Sequence, residues 1–264
     1  PDAGRGDVLA ACALAVELGV AGVCVLPWWV EVAVQALAGS GVACGTVVGF
    51  PLGANITAVK VVEAVNAFQA GAQEIDMVPA ITALKSGDYD AVREDIETVV
   101  DTASVSPADF PLVVKVILEM CYLTDDEKRI AAELAVEAGA HFLKTSTGLG
   151  PHGATVEDVA LLRSIAPAHI GVKAAGGIRT LAQAQAMVAA GPASAPARRR
   201  RSRRSWASAE RSRHRESGFR FIRWRTRATA NGNDTGRRSD PPLPRQWRST
   251  TTRRASHRRA ELRS

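Results

Sequence analysis

Three of the six lysines in this 264-residue chain lie inside otherwise apolar runs: Lys115 in LVVKVIL, Lys144 in HFLKT and Lys173 in IGVKA. Lysine is almost never fully buried unless a partner or a reaction needs it there. A rim lysine that snorkels or pairs with an acid would account for any one of them. Three on separate runs point to a shared purpose. A lysine nucleophile must shed its proton, and at an ordinary pKa of about 10.4 well under about 0.1% is free amine at neutral pH. Partial burial and a second ammonium nearby both lower that pKa. Two lysines on neighbouring strands therefore suit Schiff-base chemistry, one attacking a carbonyl and the other holding its pKa down. Asp76, in EIDMV, could move protons on the adduct, directly or through water. Capping a helix or pairing with a lysine is the plainer role for a carboxylate at that place. Glycine clusters follow two of the lysine runs: Ser146-Thr147-Gly148 after Lys144, and Ala175-Gly176-Gly177 after Lys173. Backbone N–H groups exposed by glycine ahead of a helix bind phosphate, although tight turns alone also need glycine.

The elements that must position these groups alternate along the first 191 residues. Short β-rich runs cover 20–26, 42–50, 74–78, 112–118, 141–145 and 170–174. Helical periodicity covers about 6–18, 29–39, 57–70, 88–104, 124–138, 155–166 and 180–190, with start signals at Asp88, Thr124, Thr155 and Thr180. Such alternation predicts βα units with parallel strands, covered on both faces because the runs are almost wholly apolar. A doubly wound sheet and a barrel compete. No G-x-G-x-x-G follows the first strand, and Asp76, Lys144 and Lys173 fall at the C-terminal ends of three different strands, where barrels carry their chemistry. The expected fold is α/β, a (β/α)8 TIM barrel. Six strands are readable where eight close a barrel, so an incomplete barrel is expected.

Charge divides the chain in two. Residues 1–191 hold 11 basic and 22 acidic side chains, a net of −11. Residues 192–264 hold 22 arginines and 5 acids, a net of +17, with one isoleucine, two leucines and no valine or lysine. The first part is read as a barrel domain and the second as an irregular Arg-rich tail, too poor in apolar residues to offset the entropy of ordering it. No apolar run reaches the length of a membrane span, and the start lacks the pattern of a signal peptide. Cys12, Cys24, Cys44 and Cys121 are widely spaced, with no metal-ligand pattern, and read as free thiols of a cytoplasmic protein.

The motifs HFLKTSTG (141–148), GVKAAGGIRT (171–180), TVVGFPLGA (46–54) and EIDMVPAITALKSGDYD (74–90), with VCVLP (23–27) and VKVILEMCYLTDDEK (114–128), resemble the bacterial 2-deoxyribose-5-phosphate aldolase family. The resemblance runs in order and spacing from residue 1 to about Gly191. It implies a class I, Schiff-base, metal-free aldolase on a (β/α)8 barrel, cleaving 2-deoxy-D-ribose 5-phosphate reversibly to glyceraldehyde 3-phosphate and acetaldehyde in deoxynucleoside catabolism. By the family's motifs Lys144 is the Schiff-base lysine, Lys173 the lysine that tunes it, and Asp76 a proton relay. Gly148, Gly176 and Gly177 would bind phosphate, Cys24 would line the pocket, and Lys115 would support the site. A phosphorylated sugar as partner, self-association into a homo-oligomer, no cofactor, no metal and no membrane complete the expectation. Another Schiff-base aldolase of phosphorylated sugars is the nearest alternative.

Departures from the family pattern are specific. The D-H-T-L-L strand that usually precedes the position of Pro1 is missing, VPAIT (78–82) replaces V-I-N-I-G, and Trp28 stands where a basic residue is common. After Gly191 the family continues with R-I-G-T-S-S, whereas this chain reads PASAPARRRR. Read out of register, GC-rich codons for residues 194–200 permit R-T-G-T-S-S, so the tail is expected to be a frameshift product. The alternative is an Arg-rich nucleic-acid-binding segment with Trp206, Phe219, Phe221, Trp224 and Trp247 as stacking groups. Its lack of lysine, helical period and any module pattern argues against specific nucleic-acid binding. Loss of the first and last strands, neighbours in a closed barrel, would leave a contiguous gap. Aldol cleavage of deoxyribose 5-phosphate by the chain as written is accordingly expected to be poor, and near-normal turnover in that assay would refute the expectation.

Overall fold

Every strand lies beside its predecessor in sequence. In the computed structural model, which describes residues 2–104 and 112–191, six strands form one parallel sheet in the order β1-β2-β3-β4-β5-β6. They are β1 Gly22–Cys24, β2 Ala43–Val48, β3 Glu74–Met77, β4 Val113–Ile117, β5 Phe142–Lys144 and β6 Gly171–Lys173. Intervening helices are α1 Arg5–Leu18, α2 Val30–Leu37, α3 Thr57–Gln69, α4 Ile81–Lys85, α5 Tyr89–Ser104, α6 Asp125–Glu137, α7 Val156–Ile165 and α8 Leu181–Ala190. A doubly wound sheet reverses its strand order at a switch point; this one never does, which decides between the two architectures. The described residues form an α/β fold, six βα units of a (β/α)8 barrel. The Arg-rich segment, and the expectation that it is irregular, lie outside the described residues.

The predicted starts do their work at the helix ends. Thr124 and Glu127 cap α6 reciprocally: Thr124 Oγ1 accepts from Glu127 N at 3.3 Å, and Glu127 Oε2 accepts from Thr124 N at 2.8 Å. Thr155 and Thr180 accept from the backbone N–H three residues on, and so does Asp88 ahead of α5. Helix α5 shows how the periodicity becomes packing. Val92, Ile96, Val99 and Val100 are buried on one side, while Glu94, Glu97 and Thr98 face out. Helix α4 was not legible in the sequence, since five residues are too few to display a period.

The strands bury both faces. Ile75, Met77, Val114, Val116 and Leu143 pack outward into the apolar layer beneath the helices. Residues of the opposite parity point to the other face, and there the polar groups gather. Lys173 on β6 reaches Asp76 on β3 at 2.5 Å. On a flat sheet those strands would be about 14 Å apart, so the sheet curls strongly around this face. Among the described residues no helix is long and apolar enough to cross a membrane.

One buried ion pair fastens the helices to the loops above the sheet. Lys60 of α3 and Asp95 of α5 meet at 2.6 Å, with 0% and 2% side-chain exposure. Asp95 also accepts from Thr57 Oγ1 at 2.8 Å and from the Ala80 backbone N–H at 3.0 Å. The carboxylate is thus fully satisfied, and removing one partner leaves an uncompensated charge in the interior. Lys60→Met is expected to cost about 3–5 kcal/mol in urea unfolding, and pairing it with Asp95→Asn to recover much of the loss. A single-variant cost below about 1 kcal/mol, the level of an exposed pair, would contradict the burial of this pair.

Candidate active site

The register of the strands sets the site. Asp76 lies level with Lys115 on the next strand, and Lys144 level with Lys173. Their side chains share one face and converge on Asp76. Its Oδ1 accepts from Lys115 Nζ at 3.1 Å, and its Oδ2 accepts from Lys144 Nζ at 2.7 Å and Lys173 Nζ at 2.5 Å. Glu74, two residues before Asp76 and on the same face, binds Lys115 Nζ at 2.7 Å. The cluster therefore holds three ammonium groups against two carboxylates. Lys115 also lies 5.9 Å from the centre of the Phe142 ring, which adds a weak cation–π attraction.

The three lysines are not equivalent. Burial disfavours the Lys115 ammonium, but Asp76 and Glu74 outweigh it and hold its proton above the ordinary lysine range. That lysine is committed to its charge. Lys173 goes the other way: burial lowers its pKa, Asp76 opposes the change, and the ammonium groups of Lys144 and Lys115 lower it further. Burial also works against the Asp76 carboxylate, yet Lys115, Lys173 and Lys144 together hold its carboxyl well below the usual range. Cys24, at the end of β1, feels the same charges. Burial first, and then Asp76, push its thiol up, so it stays protonated.

Loops after β4, β5 and β6 are joined to one another beyond the strand ends. Thr145 Oγ1 accepts from the Ala175 N–H at 3.1 Å, tying the loop after Lys144 to the loop after Lys173. The two glycine clusters are in contact. Gly176 has φ +83°, and a Cβ there would sit 2.9 Å from Gly153 Cα, closer than real Cβ atoms come, and a tight 3.1 Å from Gly148 Cα. Gly148 and Gly177 also have positive φ, at 89° and 77°. Ala154 N donates to Ala175 O at 3.0 Å, completing the junction. Ser146 Oγ, among the described residues, is a buried hydroxyl without a protein partner and so is free to meet a ligand.

Seven of the eight residues singled out in the sequence thus fall near or just beyond the C-terminal ends of the strands, and the eighth, Lys115, lies at the middle of β4. Asp76, Lys115, Lys144 and Lys173 are in direct contact, and Gly148, Gly176 and Gly177 form the adjoining loop junction. Sequence reading missed Glu74, Glu119 and Gly153, and named Ser146 only as part of the Ser146-Thr147-Gly148 cluster. A charge two residues before Asp76, and another closing the apolar run VKVIL, were the available signals for the two glutamates.

Parallel βα units wound in sequence order, with charged side chains gathered at the strand ends, define a barrel enzyme. Residues 2–197 match the model of the DeoC/LacD family of aldolases, and the chain belongs to that family. It is 52% identical over 191 residues to the deoxyribose-phosphate aldolase of Caldanaerobacter subterraneus, covering 72% of this chain and 81% of that protein. Identity to the deoxyribose-phosphate aldolase of Thermococcus gammatolerans is also 52%, over 193 residues, 72% of this chain and 84% of the other. The solved tetrameric deoxyribose-phosphate aldolase of Aeropyrum pernix superposes with a TM-score of 0.66 at 34% identity, covering 72% of this chain and 79% of that one.

The depressed Asp76 carboxyl has a consequence for stability. A group whose folded pKa lies below its unfolded value contributes stability above the unfolded pKa, about 3.9, and loses it as pH falls through the folded value. Asp76→Asn is therefore expected to lower the unfolding midpoint at neutral pH, with the gap to the parent narrowing only below about pH 4. A constant gap from pH 7 to pH 3 would contradict it.

Proposed function

We propose that this chain is a deoxyribose-phosphate aldolase that splits 2-deoxy-D-ribose 5-phosphate into glyceraldehyde 3-phosphate and acetaldehyde through a Schiff base on Lys144. The observation that carries the reading is two lysines of adjacent strands sharing one carboxylate oxygen, at 2.7 and 2.5 Å from Asp76 Oδ2. Lys115 is unsuited to attack because two carboxylates hold its charge. Lys144 is taken as the nucleophile because it occupies the lysine of the K-T-S-T-G motif. Its neutral amine adds to the substrate aldehyde, and loss of water gives an iminium ion. Removal of the proton from the C3 hydroxyl breaks the C2–C3 bond. The bonding electrons pass to the iminium, which becomes an enamine, while glyceraldehyde 3-phosphate departs. Protonation of the enamine at C2 and addition of water release acetaldehyde and restore Lys144.

Asp76 and Lys173 serve these proton transfers. The lowered pKa of Lys173 lets its ammonium give a proton more readily than an ordinary lysine, and the Asp76 carboxylate, held ionised, accepts from both Lys144 and Lys173 and orients Lys173 for the transfer. The loops at Gly148, Gly176 and Gly177 would present backbone N–H groups to the 5-phosphate, near the start of α8. Cys24 stays a neutral wall of the pocket. Residues 1–191 constitute the aldolase domain in this reading, with 192–264 appended to it. Homo-oligomer formation belongs to it as well, since the relative from A. pernix is a tetramer.

Borohydride reduction in the presence of acetaldehyde tests the mechanism directly, even where turnover is slow. The label is expected on Lys144 in peptide mass spectra, absent from Lys144→Leu, and reduced but still on Lys144 in Lys173→Leu. Labelling that vanishes with Lys173→Leu and persists in Lys144→Leu would reverse the assignment.

A further inference from the structure

We propose that Glu119 is a positioning residue for the phosphate end of the substrate, holding the loop after Lys144 so that Gly148 rather than Thr147 offers its N–H to phosphate. The inference rests on the aldolase reading for the identity of the ligand, and on the following contacts for the role. Glu119 lies two residues beyond β4, is 2% exposed, and belongs to no strand or helix. Its Oε2 accepts from the Thr147 backbone N–H at 3.2 Å, and its Oε1 accepts from Cys121 Sγ at 3.4 Å. That N–H is spent on protein and is turned away from any ligand.

Two further contacts hold the same stretch. Met120 N donates to Thr145 O at 3.0 Å, and Thr147 Oγ1 accepts from Leu149 N at 3.0 Å. The loop is thereby fixed against the β4 side at residues 145 and 147, and the next backbone donor, at Gly148, sits against Gly176 in the second loop. Glycine at 150 belongs to the same arrangement: a Cβ there would lie 2.6 Å from Cys121 Sγ and 3.2 Å from Glu119 Oε1.

The backbone shows that the contact is not incidental. Among the described residues Glu119 is the one non-glycine with positive φ, at 48°. L-residues avoid that region, and those held there cluster where the surrounding structure needs an exact aim. A side chain that merely filled space would be apolar and would not require it. Here the left-handed turn brings a carboxylate back under the neighbouring loop, at the cost of burying a charged group.

The test uses the full chain and begins without any substitution. On titration with inorganic phosphate, the Gly148 amide is expected to shift saturably in 15N spectra while the Thr147 amide stays fixed and exchanges slowly with solvent. A Thr147 shift as large as that of Gly148, or no saturable response at Gly148, overturns the proposal. In Glu119→Ala the ratio of kcat/KM for deoxyribose 5-phosphate to that for deoxyribose should fall by about tenfold or more, through KM. In Glu119→Gln, whose amide oxygen still accepts from Thr147, it should return to within about threefold of the parent. A ratio preserved in the alanine variant means a purely structural role and overturns the proposal. If the parent cleaves neither sugar, as slow turnover of the chain as written would allow, borohydride labelling of Lys144 with acetaldehyde decides the aldolase reading, and its absence is what overturns that reading. Phosphate affinity then decides on Glu119, about tenfold weaker binding in the alanine variant supporting the clamp and equal binding refuting it.

Discussion

A carboxylate with 1% exposure that is shared by three lysines from three strands is the interaction on which the sheet and the site both depend. Removing any of these ions from water costs several kcal/mol, and only close opposite charge offsets it. The cluster therefore demands an accurate register. A slip of one residue in β4, β5 or β6 would turn its lysine from this face to the apolar layer beneath the helices, away from Asp76. It also demands curvature, since the side chains of β3 and β6 cannot meet across a flat sheet. The apolar residues that alternate with the charged ones, Ile75, Val114, Val116, Leu143 and Val172, supply the burial that keeps that geometry in place.

Much of this was legible because the relevant signals are local. Short, almost wholly apolar runs marked all six strands, helical periodicity marked seven of the helices, and charged residues within apolar runs marked Lys115, Lys144, Lys173 and Asp76. What remained hidden is what two distant segments do together. Lys60 reads as an ordinary surface lysine of α3; only the packing of α3 on α5 places it against Asp95. Glu119 gave a faint signal at the end of an apolar run, but its left-handed backbone and its hold on Thr147 depend on the neighbouring strand. Nothing in the sequence sets Gly153 apart, and only its contact with Gly176, where a Cβ would lie 2.2 Å from the Gly176 carbonyl, explains why no larger residue fits. Strand ends were read one to two residues too long because turn glycines such as Gly49, with φ 61°, end the ladder before the apolar run stops.

Buried charges divide the molecule by height. Lys60 and Asp95 secure the start of α3 and the loop that follows β3, Glu119 ties the loop that follows β4 to the one that follows β5, and the lysine cluster occupies the sheet. Each of these groups touches a backbone N–H or a charge at the C-terminal ends of the strands. The outward layer beneath the helices is mainly alanine, valine, leucine and isoleucine. Stability and positioning are thus assigned to different faces of the same strands, the packed layer beneath the helices supporting loops that are themselves held by hydrogen bonds.

The electrostatics follow the same division. Residues 1–191 carry a net charge of −11, a sign that would repel a phosphorylated sugar at long range. Salt screens such a field beyond about 8 Å at physiological ionic strength. What an anion meets inside is different: three lysines against Asp76 and Glu74, followed by loops whose glycines expose backbone N–H groups. The overall charge of +6 comes from the 22 arginines after Gly191, and it describes neither the acidic body nor the local positive excess at the strand ends. For an enzyme of this family, the short-range excess is the quantity that matters to binding, because buried charges are screened far less than exposed ones. The acidic exterior bears instead on solubility and association.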